Sequence, residues 1–114
     1  MRKMILLAAF ALTMGVSATA FAATITNLSG QSCGDSTGTW HFVNVQTNGA
    51  AAGTLTATWD SGDSCTKTAD TVNKREQGFY CTASGTLTSA SSNLPGYIRL
   101  SDFSCDSKGE PPKK

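Results

Sequence analysis

The sequence predicts a small all-β domain, an antiparallel β-sandwich of six to seven strands held by two disulfides. Three observations predict it. Apolar residues alternate with polar ones at a period of two, which puts one face of each strand in a core and the other in water. Clusters of Gly, Ser, Asn and Asp interrupt the alternation every 8–12 residues or so, the interval of short strands in sandwiches and barrels (about 8–12). Four cysteines, Cys33, Cys65, Cys81 and Cys105, all lie beyond an apolar leader, in a chain with no long helix-forming run.

The leader comes first. Arg2 and Lys3 give a positive start, Met4 to Val16 is apolar and uncharged, and Ala20-Phe21-Ala22 places small residues where a signal peptidase reads them. Residues 1–22 are therefore expected to be a cleaved signal peptide, with a second exit after Ala18-Thr19-Ala20. The apolar run is short for a membrane span, which takes about 20 residues, and no later segment approaches that length. Loss of Arg2 and Lys3 turns nine basic residues against eight acidic ones into seven against eight, near −1. No basic stripe remains for a nucleic-acid backbone. Lys74-Arg75 is the only basic pair inside the domain and suits a solvated turn.

Residues 23–105 read as one β domain, and 106–114, ending Pro111-Pro112-Lys113-Lys114, as a loose polar tail. Ala23 to Leu28 is expected to form the first strand. In Thr39–Gln46, Trp40 and Phe42 share one face, while His41, Val43 and Val45 share the other. In Gly53–Trp59, Leu55, Ala57 and Trp59 oppose Thr54, Thr56 and Thr58. Thr47-Asn48-Gly49 between these runs is a hairpin-turn signal. Asp60 to Ser64 is turn chemistry. Thr66–Thr71 and Glu76–Thr82 form a strand pair about a turn near Asn73-Lys74, Gly85–Ala90 a further strand, Ser91–Gly96 a loop, and Tyr97–Cys105 the last strand, with room for a bulge; Tyr97 and Phe103 share a face of it. An immunoglobulin-like sandwich is favoured over a closed barrel.

Four thiols in an oxidising compartment read as two disulfides. Cys65 and Cys81 are equidistant from residue 73 and face each other if the hairpin forms, which leaves Cys33 to Cys105; the rival is Cys33–Cys65 with Cys81–Cys105. Zinc sites show cysteines two to four residues apart, roughly, and none here are so close. Packing alone leaves a thin margin, since ordering costs on the order of 1.5 kcal/mol per residue. The cysteines thus have a sufficient structural purpose.

Chemistry is sparse. His41 is the single histidine, and a triad of His41 with Asp60 or Asp102 and Ser64 can be drawn, but Ser64 precedes Cys65 rather than an oxyanion-hole glycine. Asp60, Asp63 and Asp70 sit in or beside turns, where Asx bonding explains them better than glycoside hydrolysis or a calcium loop, which lacks the EF-hand pattern. Asn27-Leu28-Ser29 matches a glycosylation sequon. Tyr80 should point away from Phe79 and Cys81. Tyr80, Tyr97, Asp60 and Asp63 are the candidate binding-surface residues, with no catalytic set, metal or cofactor expected.

Gly38-Thr39-Trp40-His41-Phe42-Val43-Asn44, Gly53-Thr54-Leu55-Thr56-Ala57-Thr58 and Leu100-Ser101-Asp102-Phe103-Ser104-Cys105 resemble small bacterial exported Ig-like β-sandwich modules, over residues 30–105. The resemblance implies an extracytoplasmic β domain and carries no catalytic residues. The expected protein is a non-enzymatic structural, binding or adhesion module, monomeric, periplasmic or secreted, engaging a protein or glycan, with no nucleic acid and no membrane span after leader removal. The alternative is a secreted inhibitor or effector that blocks a foreign enzyme by inserting Asp60–Ser64 or Ser91–Gly96.

Overall fold

The computed structural model describes residues 22–106. The expected signal peptide, but for Ala22, and the tail beyond Asp106 lie outside them. Among the described residues there is no helix. Six strands form one hydrogen-bonded sheet: β1 (Ser32–Val45), β2 (Thr54–Trp59), β3 (Ser64–Thr68), β4 (Thr71–Val72), β5 (Glu76–Ser92) and β6 (Tyr97–Cys105). The order is β3-β2-β5-β1-β6, with β4 also on β5, and all these pairings are antiparallel.

The long β5 organises the domain. Its first half, to Ser84, pairs with β1, and its second half, Leu87–Ser92, pairs with β2. Separate strands were expected at 76–82 and 85–90; they are one strand bent at Gly85, whose φ of +91° suits a residue without Cβ. A Cβ there would lie 3.0 Å from the Ser61 backbone nitrogen and 2.7 Å from Asp60 Oδ1. The bend turns the two halves of the sheet face to face. Trp59 of β2 meets Trp40 and Phe42 of β1 edge-on, with ring centroids 5.5 and 6.3 Å apart. The architecture is thus all-β and compatible with the expected sandwich, its two layers being parts of one sheet.

The core holds the residues that alternation assigned to it. Trp40, Phe42, Leu55, Ala57, Trp59, Phe79 and Cys81 are buried, and Tyr80 is exposed. The Trp40 indole donates to Ala83 O at 3.0 Å and its ring stacks on Phe103 at 4.5 Å. Phe103 reaches that face because of a bulge in β6 opposite His41 and Phe42, with Ser101 as the extra residue. The bulge reverses side-chain parity. Tyr97 therefore points outward while Phe103 points inward, and the two do not share a face.

Two other expectations are corrected. Asn48-Gly49 does turn, with φ of 55° and 74°, and Ala50 N–H bonds Thr47 O, but β1 and β2 do not pair. The turn instead prolongs the β1–β5 ladder, through Thr47 N–H to Arg75 O and Gly49 N–H to Lys74 O. The chain then crosses to the other layer, drawn by the Gln77 side chain, which accepts from Gly53 N–H and donates to Ala50 O and Ala51 O. Residues 23–28 form no strand of their own. They lie where β5 and β6 diverge, and each neighbour supplies only a bridge: Thr24 with Ser91 and Ile25 with Ile98.

That segment closes one flank of the domain. Asn27 completes the closure, its amide donating to Leu100 O and accepting from Leu100 N–H, so the sequon nitrogen is engaged in backbone pairing. The other flank is closed where the chain passes from β3 to β4, with Asp70 N–H donating to Gly78 O. Over these stretches the sheet presents no bare edge to another strand.

The disulfides are Cys33–Cys105 and Cys65–Cys81, with Cα separations of 5.4 and 6.0 Å. The first joins the start of β1 to the end of β6. Gly38 makes room for it, since a Cβ there would fall 2.4 Å from Cys33 Sγ. The second ties β3 to β5, the favoured pairing, although the expected pair of 66–71 with 76–82 does not form: β3 lies on β2, and only Thr71–Val72 pairs with β5. Two disulfides in a domain of this size are the mark of an oxidising compartment.

Candidate binding cleft

The outward face of β5, β1 and β6 carries the side chains that the fold leaves over. Register arranges them in three rows. Tyr80, His41 and Asp102 lie side by side; then Gly78, Val43 and Arg99; then Glu76, Val45 and Tyr97. In the first row Tyr80 and His41 stack at 4.2 Å with planes 7° apart, and His41 Nδ1 is 3.9 Å from Asp102 Oδ1. Gly78 lets Thr71 and His41 pack down onto the middle row, because a Cβ there would meet Thr71 Oγ1 at 2.6 Å and His41 Nε2 at 3.3 Å.

Two open clefts follow from this layout. One, of about 240 Å³, is lined by Val43, Val45, Glu76, Arg99 and Ser101. Ser101 reaches it by alternation from Tyr97 and Arg99. The other, of about 490 Å³, is lined by Val45, Gln46, Asn48, Lys74, Arg75 and Glu76. Val45 and Glu76 belong to both, so the two adjoin along β1, and together they are called the trough.

The walls of the trough are fixed from beneath. Asn73 Oδ1 accepts the N–H groups of Arg75 and Glu76, both at 2.9 Å, which sets the β4–β5 turn. Gly96, at φ +89°, packs directly on Val45 O, where a Cβ would fall 1.8 Å away. Under the floor, buried Asn44 donates to Pro95 O at 2.9 Å and accepts from Ser92 Oγ at 2.5 Å, and that hydroxyl also accepts from Leu94 N–H. Gln77 plays the matching part for 50–53.

Beside Tyr80, Lys67 and Asp70 pair at 2.9 Å, and Asp70 Oδ2 also accepts Tyr80 N–H at 2.8 Å. The Lys67 hydrogen bond, then the Tyr80 N–H, hold the Asp70 carboxyl below its ordinary 3.8. A depressed folded-state pKa gives stability that is present above the unfolded value and is lost as pH falls through the folded one. Asp70→Asn is therefore expected to melt below wild type at neutral pH and to converge with it in acid. Thermal unfolding followed by near-UV circular dichroism across that range checks this, and a gap independent of pH would refute it.

The structure places the four candidate surface residues in two regions. Tyr80 and Tyr97 share the outer face at opposite corners of the three rows, 47% and 36% exposed. Asp60 and Asp63 lie instead at the bend of β5. Asp60 Oδ1 accepts Thr86 N–H at 2.8 Å, Asp63 Oδ2 accepts Ser84 N–H at 2.9 Å, and Ser61 Oγ donates to Ser84 O. These side chains hold the bulge at Gly85. His41 and Asp102 come together, but Ser64 is paired with Thr58 on the other layer, so no triad assembles. Asp70 is engaged by Lys67, away from Asp60 and Asp63. Among the described residues no group of three or more His, Cys, Asp or Glu is placed to hold a metal ion, and no helix is long and apolar enough to cross a membrane.

Both loops offered as inserted segments are tied back. Asp60–Asp63 is bonded to β5, and in 93–96 Leu94 is buried against Gly53 while Pro95 O is held by Asn44. Arg99, Glu76 and the Val43–Val45 floor were not singled out from the sequence. Their outward positions follow from alternation, but their meeting depends on β1 lying between β5 and β6. No family model matches the sequence, and neither a curated protein nor a solved structure is significantly similar to it.

Proposed function

We propose that the chain is an exported, non-enzymatic recognition module, an immunoglobulin-like domain working as a monomer in the periplasm or outside the cell. The observation that carries the reading is the trough on the outer face, where Val43, Val45, Glu76, Arg99 and Ser101 line an open cleft rather than serve the core. Asp60, Asp63 and Ser61 are spent on the backbone of β5. Export draws on the leader, on the two disulfides and on Ala23, the first residue after the expected cut. It is buried, with its N–H on Leu94 O at 3.1 Å and its carbonyl accepting from Ser92 N–H.

Immobilised full-chain protein, matured by its own secretion, is expected to retain material from a cell-envelope extract. Arg99→Ser combined with Tyr97→Ser is expected to lower that retention about tenfold, the equivalent of roughly 1.4 kcal/mol, with thermal unfolding unchanged. Equal retention by the folded variant, or none by wild type, would overturn the recognition face.

A further inference from the structure

Within residues 22–106 acidic side chains outnumber basic ones, yet three of the four basic residues are gathered in one place. Residues 22–106 contain Lys67, Lys74, Arg75 and Arg99 against Asp35, Asp60, Asp63, Asp70, Glu76, Asp102 and Asp106. Lys67 is ion-paired with Asp70. The other three line the two adjoining clefts, with Glu76 as the single carboxylate among the lining residues. Lys74 and Arg75 come from the β4–β5 turn and Arg99 from β6, so topology rather than neighbourhood in sequence brings them together. A cationic trough on a domain of opposite net charge selects an anion locally while the rest of the surface repels anions.

We propose that this trough binds an acidic oligosaccharide, a short glycan bearing carboxylates on its rings. The inference rests on the recognition face proposed above and names its ligand class. The floor, Val43 and Val45 with Tyr97 at the row end, offers apolar surface to the C–H face of a sugar ring. The walls offer planar hydrogen-bonding groups, the Arg75 and Arg99 guanidiniums and the Gln46 and Asn48 amides, suited to carboxylates and neighbouring hydroxyls. Glu76 accepts from hydroxyls. Val43 and Val45 lie about 7 Å apart along β1 at strand rise, and the turn residues Gln46 and Asn48 continue the wall beyond them.

Other anions fit less well. Three cations on an acidic domain do not make the phosphate-tracking stripe that a nucleic acid requires. An acidic peptide binding by strand addition needs an open sheet edge. β1 has none to offer, being paired with both β5 and β6, and the outer edge of β6 is covered at Ile98 and Leu100 by residues 24–27.

The test is a titration of ¹⁵N-labelled, disulfide-intact protein with trigalacturonate, with neutral maltotriose and with tetraglutamate. Trigalacturonate is expected to shift the amides of Val43, Val45, Glu76 and Ser101, and to bind at least about tenfold more tightly than maltotriose or tetraglutamate. Arg99→Gln is expected to weaken it about tenfold, and Arg99→Lys less, because lysine keeps the charge but not the planar fork. Maltotriose binding equally well would overturn the charge selection. Tetraglutamate binding equally well would overturn the glycan. Failure of all three probes while envelope retention still depends on Arg99 would overturn the acidic glycan and leave the recognition face standing. Loss of that retention dependence as well would overturn both.

Discussion

Replacing Cys33 and Cys105 together by serine is expected to lower the unfolding free energy by about 4 kcal/mol, and replacing Cys65 and Cys81 by about 3 kcal/mol. The difference follows from the chain each bond closes, 72 residues against 16. A longer loop surrenders more freedom in the unfolded state. Against a typical domain stability of about 5–15 kcal/mol, either loss is large. The Cys33–Cys105 bond also acts where other restraint is thin. Between Ser32 and Thr37 the β1–β5 register shifts, and the end of β6 meets β1 there through the Gly38–Cys105 pair and the Asp106 N–H on Thr37 O. Denaturant unfolding of the two double-serine variants at neutral pH measures both losses. Equal losses, or the larger one at Cys65–Cys81, would show that native-state contacts rather than loop closure set the contribution. The order of loss matters for function too, because Cys33–Cys105 lies at the end of β1 remote from the trough. A variant that keeps its trough with the bond removed would still bind while unfolding more readily.

How much of this was legible in the sequence depends on whether a signal is local. Alternation in Thr39–Gln46 and Gly53–Trp59 placed Trp40, Phe42, Leu55, Ala57 and Trp59 inward correctly, because the pleat alone decides which way a strand residue faces. The cysteine pairing came out as favoured but not through the hairpin it was argued from, since Cys65 lies on a strand paired with β2 and its bond reaches across to β5. Partnership was not local. Asn48-Gly49 carried the right turn chemistry, but a turn does not specify which strand lies alongside, and here the neighbour is the segment 74–76. Sheet order had the same effect on the trough. Lys74-Arg75 reads as a solvated turn until β1 is set between β5 and β6, which brings Arg99 to the same cleft. A bulge is likewise silent in a run such as Leu100-Ser101-Asp102, although it reverses the face of Phe103. Asn44 and Gln77 were hidden differently. Each is polar at a position whose parity points inward, and only the loops that they bind explain them.

Those two residues carry the second large effect. Gln77→Leu is expected to destabilise the domain by about 3 kcal/mol, since each buried polar group left without a partner costs roughly 1–3 kcal/mol. The side chain is fully buried and serves three backbone groups, accepting from Gly53 N–H at 2.8 Å and donating to Ala50 O and Ala51 O at 3.1 and 3.0 Å. Leucine fills a similar volume, so the loss reports the hydrogen bonds rather than a cavity. Gln77→Glu separates the two roles: it keeps an acceptor for Gly53 N–H, but an ionised carboxylate has no proton for the two carbonyls and is itself costly to bury. It is therefore expected to be the worse variant at neutral pH and to recover in acid, when protonation restores one donor. Denaturant unfolding at neutral and acidic pH follows both. A loss from Gln77→Leu below about 0.5 kcal/mol, the scale of ordinary surface substitutions, would mean that the loop closes without the amide. The consequence would extend to the trough, for Gln77 sits between Glu76 and Gly78 with its side chain under the floor. An amide that holds the crossing from β1 to β2 also holds the strand positions from which Val45 and Glu76 face outward.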